Sequence, residues 1–201
     1  MLFGVQWYYW LLLLIVSVLA VFTWFKAMKA SRIRREKLKK EAEIWKKDYE
    51  LRQEFKTVSL EKLNSTENTR LLHGICMNIQ ILLENEADMN SAFENLPLEK
   101  KYIYALEYFD EDCTKALSLF FKNNGSPLTD YIIDALKAIG YNELVPLVSE
   151  IYPMYDEESL VSIDYTIIEK TDDKFREIYN SNTMYDLTAN YIRTNKEIFI
   201  D

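Results

Sequence analysis

The chain has 201 residues and a formal net charge of −8 at pH 7, and 28% of its side chains are charged. This acidic balance argues against direct binding to nucleic acid, because DNA- and RNA-binding proteins present clustered positive charge. The sequence has only four glycines and two cysteines. It therefore contains neither a glycine-rich phosphate-binding loop nor enough cysteines for a disulfide scaffold.

Residues 7–25 form the first element, an apolar run of nineteen residues without charge, glycine or proline. A helix of this length rises about 28 Å, which is close to the thickness of the hydrocarbon core of a bilayer. Trp7 and Trp10 lie at one end of the run, and Trp24 and Phe25 lie at the other. Because aromatic side chains favour the membrane interface, the pattern predicts a single transmembrane helix anchored by these four residues. A buried core helix is the less favoured interpretation.

The charges that flank this run predict its orientation. Residues 1–6 carry no charged side chain, whereas residues 26–40 carry eight basic side chains and one acidic side chain. Basic residues are retained on the cytoplasmic side. We therefore expect a single-pass protein of the cell membrane, with a short extracytoplasmic N-terminus at 1–6 and its C-terminal domain in the cytoplasm. A cleaved signal peptide would instead place its basic residues before the run and small residues after it.

The basic residues next to the run are expected to contact the anionic lipid headgroups of the inner leaflet, where each contributes about 1 kcal/mol. They are Lys26, Lys29, Arg32, Arg34 and Arg35.

Residues 26–66 are predicted to continue the membrane helix as a basic juxtamembrane stalk. The segment has no glycine or proline as far as residue 66, and its apolar residues are sparse. Ile44, Leu51 and Val58 recur every seven residues. The positions between them are polar, so a coiled coil is the weaker interpretation.

Residues 67–201 are predicted to form one acidic globular domain. Residues 57–201 hold 12 basic and 26 acidic side chains, a net charge of −14. The apolar residues follow a helical period, and no pair of alternating strands is evident, so the fold class is all-α with six or seven helices. Ser126 and Pro127 are predicted to begin one helix, and Gly140 to end it. Asp156 is predicted to begin another, with Leu160 and Ile163 facing inward.

The stretch from Leu96 to Phe199 resembles a bacterial all-helical domain family of unknown function that includes a DNA-mimic protein. The residues that carry the resemblance are Leu96-Pro97, Tyr104-Ala105-Leu106, Phe109, Phe120-Phe121, Asn124-Gly125, Asp134-Ala135-Leu136, Ile139-Gly140, Phe175, Leu187, Tyr191-Ile192 and Phe199. The resemblance implies an acidic helical domain that binds proteins and can form a homodimer. The family commonly carries an acidic residue and then Asn-Gly-Gly-Phe before the aromatic pair. This chain has residues 110–117 there, without the glycine turn.

Residues that carry chemistry are few. The one histidine, His73, is interpreted as a structural residue and not as a catalytic base. Cys76 and Cys113 lack metal-ligand spacing and are expected to be buried free thiols. No catalytic residue, metal site or cofactor is predicted. Asp172 and Asp173 are interpreted as a helix N-terminus.

The consecutive acids Asp110, Glu111 and Asp112 are the candidate surface for a basic protein partner, although a solvated face explains them equally well. These observations favour a membrane-anchored, cytosolic protein-interaction module of a regulatory or immunity type. Two alternatives remain open: an enzyme with an unrecognised site, and a DNA-mimic-like inhibitor of a nucleic-acid-binding protein.

Overall fold

A computed structural model describes residues 7–156 and 159–201, and for residues 7, 8 and 18–21 it describes the backbone alone. The predicted extracytoplasmic segment, residues 1–6, lies outside the described residues. The described residues form eleven α-helices, one 3-10 turn and no strand, which confirms the all-α prediction. Ten of these helices follow α1, so the predicted six or seven helices of the globular domain are too few. The helices are α1 Trp7–Glu54, α2 Leu60–Ser65, α3 Asn68–Glu84, α4 Met89–Glu94, α5 Leu98–Cys113, α6 Leu117–Asn123, α7 Leu128–Ile139, α8 Val145–Ile151, α9 Tyr165–Ile178, α10 Ser181–Thr194 and α11 Lys196–Phe199, and the 3-10 turn is Tyr152–Met154.

The chain divides into two units, Met1–Glu50 and Leu51–Asp201. The described part of the first unit is helical throughout, because α1 runs without a break from the apolar run through the charged stretch. All of its described side chains are exposed. Two ion pairs support the charged stretch, Lys37 with Glu41 and Lys46 with Glu50, each at 3.7 Å. The two residues of each pair are one helical turn apart. Such exposed pairs contribute only about 0.3–0.5 kcal/mol each.

The second unit begins at Leu51, well before the boundary at residue 67 that the sequence predicts. Phe55, Val58 and Leu63 are buried in its core, and Leu51 packs against that core. The seven-residue spacing of Leu51 and Val58 therefore reflects packing within the second unit, and not a coiled-coil seam.

The end of the chain closes against the segment that follows α1. The backbone N–H of Val58 donates to Oδ2 of Asp201 at 2.6 Å, and the N–H of Asp201 donates to the carbonyl of Val58 at 3.1 Å. These two hydrogen bonds hold the first and last segments of the second unit side by side.

Helix α5 is the centre of the second unit. It packs against α3, α6, α7 and α11, while α3 packs in turn against α10. Its inner face carries Ile103, Leu106 and Phe109, all fully buried. These three residues follow the i, i+3, i+6 spacing of an amphipathic helix. Other residues on the same face of α5, such as Asp110 and Cys113, are therefore buried as well.

The end of α7 and the start of α9 show one correct and one wrong prediction. Gly140 has φ of +85°, the left-handed conformation that ends helices, and thus confirms the predicted cap. Helix α9 begins after Asp164, whose carboxylate accepts the N–H groups of Thr166 at 2.9 Å and Ile167 at 3.3 Å. The predicted start at Asp156 is wrong, and Leu160 and Ile163 are exposed. Asp156 and Asp164 both precede apolar residues. Only Asp164 has the helical spacing to the buried residues of α9, since Ile168 lies four positions after it.

Helix α6 receives its cap from another helix. Its N-cap residue, Ala116, has no side-chain acceptor. Asp172, inside α9, accepts the N–H of Ser118 at 2.8 Å and its hydroxyl at 2.7 Å. The prediction that Asp172 and Asp173 begin a helix is therefore wrong, because both lie inside α9. Asp172 instead supplies the N-terminal acceptor that α6 lacks.

The contact of Phe55 with Gly74 generates the first prediction. A Cβ at Gly74 would overlap the Phe55 ring, so the buried position of this ring requires a glycine at residue 74. We expect Phe55→Ala to lower the free energy of unfolding by about 3–5 kcal/mol through the cavity that it leaves. Gly74→Ala is also expected to destabilise the protein, but to cost less when Phe55→Ala has removed the ring.

Chemical denaturation of the four proteins in this double-mutant cycle measures the coupling. Gly125→Ala is the matched control, because an added Cβ at Gly125 meets no atom within 4 Å. Additive effects of Phe55→Ala and Gly74→Ala would contradict the contact.

Candidate functional site

The predicted anchor residues lie on an uncovered apolar helix surface. Trp10, Trp24 and Phe25 are exposed, Trp24 to 59%, while the side chain of Trp7 is outside the described set. Helix α1 is long and apolar enough to cross a membrane, a property that a signal sequence near the N-terminus shares. The five basic residues after Phe25 that were predicted to meet headgroups are also exposed. The apolar stretch and the basic stretch that follows it thus lie on one continuous helix.

The acidic triplet does not form one surface. Asp110 is buried, with 5% of its area exposed, whereas Glu111 is exposed and Asp112 is half-buried. Consecutive residues on a helix point about 100° apart, and Asp110 shares the inner face of α5 with Leu106 and Cys113. Of the three, Glu111 alone is fully exposed, and its contact with a partner stays a prediction.

Asp110 serves the interior of the second unit. One carboxylate oxygen accepts the hydroxyl of Tyr185 at 2.6 Å, and the other accepts the hydroxyl of Tyr179. Burial, followed by the hydrogen bond to Asp110, raises the pKa of both tyrosines. Both hydroxyls consequently remain protonated donors, and they join α5 to the end of α9 and to α10.

Asp112 secures the turn after α6. Its two oxygens accept the side-chain amides of Asn123 at 2.7 Å and Asn124 at 2.6 Å. Asn124 also donates to the carbonyl of Phe120 at 2.9 Å. Asp112 thus fixes the backbone that leads from α6 into α7.

A second polar pair, His73 with Glu107, joins α3 to α5. Nδ1 of His73 contacts Oε1 of Glu107, which is buried, and the His73 ring lies 6.0 Å from the ring of Tyr185. The hydrogen bond to Glu107 raises the pKa of His73 against the lowering effect of burial, and the charges of Glu107, Asp110 and Glu111 add to the rise. Sequence reasoning missed this pair, because the two residues are 34 positions apart.

The chemistry available at this pair is limited. The second oxygen of Glu107 is buried without a hydrogen-bond partner among the described residues. Throughout the described ranges, no three His, Cys, Asp or Glu side chains are grouped to hold a metal ion. Cys76 and Cys113 are free and buried, as predicted, and burial raises the pKa of both thiols.

The acidity of the second unit is spread over its surface. Residues 51–201 contain 14 basic and 27 acidic side chains, a net charge of −13. Exposed carboxylates occur on several elements, so no single cluster accounts for the negative surface. Among them are Glu61, Glu67, Glu111, Glu143, Glu169, Glu177, Asp186 and Glu197.

A family model described as "DMP19-like protein" matches residues 94–195, about half of the chain. The chain belongs to the DMP19-like protein family. The match confirms the resemblance seen in the sequence and covers α5 to α10. It leaves out α1, α2, α3, α11 and all of α4 but Glu94, although α3 supplies His73 and part of the core. The chain has no significant match among curated proteins or among solved structures.

The burial of Asp110 generates the second prediction. Asp110→Ala removes the acceptor of two tyrosine hydroxyls, and we expect it to lower the free energy of unfolding by about 3 kcal/mol. Glu111→Ala, one position along, is the matched control and is expected to change stability by less than about 0.5 kcal/mol. Chemical denaturation of both variants measures the contrast. Equal losses would show that Asp110 is not the interior acceptor.

The pair of His73 and Glu107 generates a pH prediction. Because the folded pKa of His73 is raised above its ordinary value of 6.5, its stabilisation is fully present below that value. The stabilisation is lost as pH rises through the folded pKa. We therefore expect His73→Gln to lower the melting temperature more at pH 6 than at pH 9. Glu107→Gln should reduce this pH dependence of the His73→Gln effect, because Glu107 is the largest cause of the raised pKa. A constant difference between pH 6 and pH 9 would argue against the charged pair.

Proposed function

We propose that this chain is a single-pass protein of the cell membrane whose acidic helical domain binds the basic surface of a cytosolic protein. The observation that carries the proposal is the order of charge along the chain. An uncharged N-terminus and an exposed apolar helix are followed by a cationic stretch and then by a unit of net charge −13.

The anchor is supported by exposure. The described side chains from Tyr9 to Ser17 and from Phe22 to Phe25 are all exposed, which is costly for a helix in water. Insertion in a bilayer would recover about 25 cal/mol for each Å² of apolar surface. The basic residues 26–40 favour the cytoplasmic side for everything that follows. The sequence Thr23-Trp24-Phe25-Lys26 does not resemble the small-residue site at which a signal peptide is cleaved.

The binding role is supported by the two uses of acidic residues in the second unit. Asp110, Asp172 and Glu107 are buried and occupied within the fold. The remaining negative charge lies on exposed side chains, where it attracts basic proteins over several ångströms and hastens their association. Contacts with a partner must therefore use exposed carboxylates such as Glu111 and Asp186.

Membership of the DMP19-like family favours one class of partner. The family includes a DNA mimic, and a mimic presents carboxylates where its target expects phosphates. In that case the partner would be a nucleic-acid-binding protein, held at the membrane and away from DNA. Residues 110–117, which lack the family's glycine turn, contain the end of α5 and the joint to α6. Asp110, Cys113 and Leu117 of this segment are buried, so mimicry there would rely on Glu111, which is exposed.

The test captures partners of the full chain, tagged at its N-terminus with a short uncharged epitope, from detergent-solubilised membranes of cells that produce it. One variant combines Glu111→Gln, Glu143→Gln and Asp186→Asn. We expect wild type to retain a partner that this variant loses, and we expect rising salt to release it, because salt screens exposed charges beyond about 8 Å. Release by double-stranded DNA at constant salt would identify the DNA-mimic class.

The matched control combines Lys56→Gln, Lys122→Gln and Lys196→Gln, three exposed cations, and should keep the partner. Retention of the partner by the acidic-to-amide variant would argue against the acidic surface. Recovery of the chain from a soluble fraction, cleaved after the apolar run, would argue against the anchor. The melting temperatures of all variants are compared first, so that misfolding is not read as lost binding.

A further inference from the structure

A cleft of about 720 Å³ opens between the end of α6, the start of α7 and the 3-10 turn. Three aromatic rings are in its lining. Phe121 stacks on Tyr155, with ring centroids 5.5 Å apart and 12° between planes, and Tyr152 lies 6.0 Å from Phe121. Phe121 is buried, so the half-buried rings of Tyr152 and Tyr155 supply the apolar wall that a flat ligand group can meet.

A carboxylate in the lining of this cleft, that of Asp130, is held in position by two hydroxyl groups. Oδ2 of Asp130 accepts the hydroxyl of Ser126 at 2.6 Å, and Oδ1 accepts the hydroxyl of Tyr152 at 3.0 Å. Ser126, predicted as a helix N-cap, thus orients Asp130 instead. Each oxygen of a carboxylate has two acceptor sites, so Asp130 can still accept from a ligand.

The charge of the cleft favours a cation. Asp130 and Asp156 line it together with a single basic residue, Lys122. The loop at its rim is ordered without a ligand, because the side-chain amides of Asn123 and Asn124 donate to the carboxylate of Asp112. A preformed rim lowers the entropy cost of binding.

We propose that this cleft receives an arginine side chain of the basic protein partner. The inference rests on the proposed function and names the contact that it would use. A guanidinium is flat and permanently charged, stacks on aromatic rings, and donates two parallel hydrogen bonds to a carboxylate. The ring wall and Asp130 supply both halves of that recognition. A lysine ammonium would use the charge but not the flat wall.

The test uses the full chain in neutral detergent and a fluorescein-labelled nine-residue peptide of glycine and serine with one central arginine. Companion peptides carry citrulline, which has the same shape without the charge, or lysine. We expect the arginine peptide to bind about tenfold more tightly than the citrulline peptide, and more tightly than the lysine peptide. Fluorescence anisotropy measures the dissociation constants.

Two variants place the binding in the cleft. Asp130→Asn and Asp156→Asn are each expected to weaken binding of the arginine peptide by about fivefold or more, and using both guards against misfolding of one. Glu61→Gln, an exposed acid outside the cleft lining, is the matched control and should leave binding unchanged. Tyr152→Phe, which frees Asp130 from one donor, should alter the affinity while keeping the ring.

Three results would overturn the assignment. They are equal binding of the arginine and citrulline peptides, equal binding by wild type and both aspartate variants, and loss of binding in Glu61→Gln as large as in Asp130→Asn. The last of these would place the attraction on the general acidic surface, so the cleft would fail while the proposed function stood. Failure of the proposed function itself would appear separately, as retention of the captured partner by the acidic-to-amide variant.

Discussion

Two carboxylates on the buried face of α5 constrain how the second unit packs. An ionised group inside a protein is costly unless it is paired and hydrogen-bonded. Glu107 meets His73 from α3, and Asp110 meets two tyrosine hydroxyls from the end of α9 and from α10. Neither α3 nor α10 can slide along α5 without leaving a buried charge unpaired. These polar contacts therefore define a register that apolar packing alone would leave loose.

The same principle extends to α6. Its missing cap is supplied by Asp172 from α9, so this short helix depends on a helix that follows it by some fifty residues. Together, these contacts place Glu107, Asp110 and Asp172 in the interior. The net charge of the sequence therefore includes carboxylates that no partner can reach.

Local patterns predicted much of the architecture. The long apolar helix, the all-α class, the left-handed cap at Gly140 and the family resemblance all follow from neighbouring residues. The start of the second unit could not be placed this way, because the burial of Phe55 depends on Gly74, nineteen residues further along. The inward position of Asp110 had a usable signal, since it lies four residues after Leu106 and three before Cys113 on the apolar face. Its charge obscured that periodicity. The pairing of His73 with Glu107 had no local signal at all.

The closing contact between Val58 and Asp201 has a topological consequence. Since Val58, near the start of the second unit, is hydrogen-bonded to Asp201 at its other end, the first and last segments of the unit lie side by side. Such units accept circular permutation and insertion into the loops of other proteins, because both connections leave from the same point. The second unit could therefore be permuted, or inserted into a loop of another protein, provided that the contact between Val58 and Asp201 is kept.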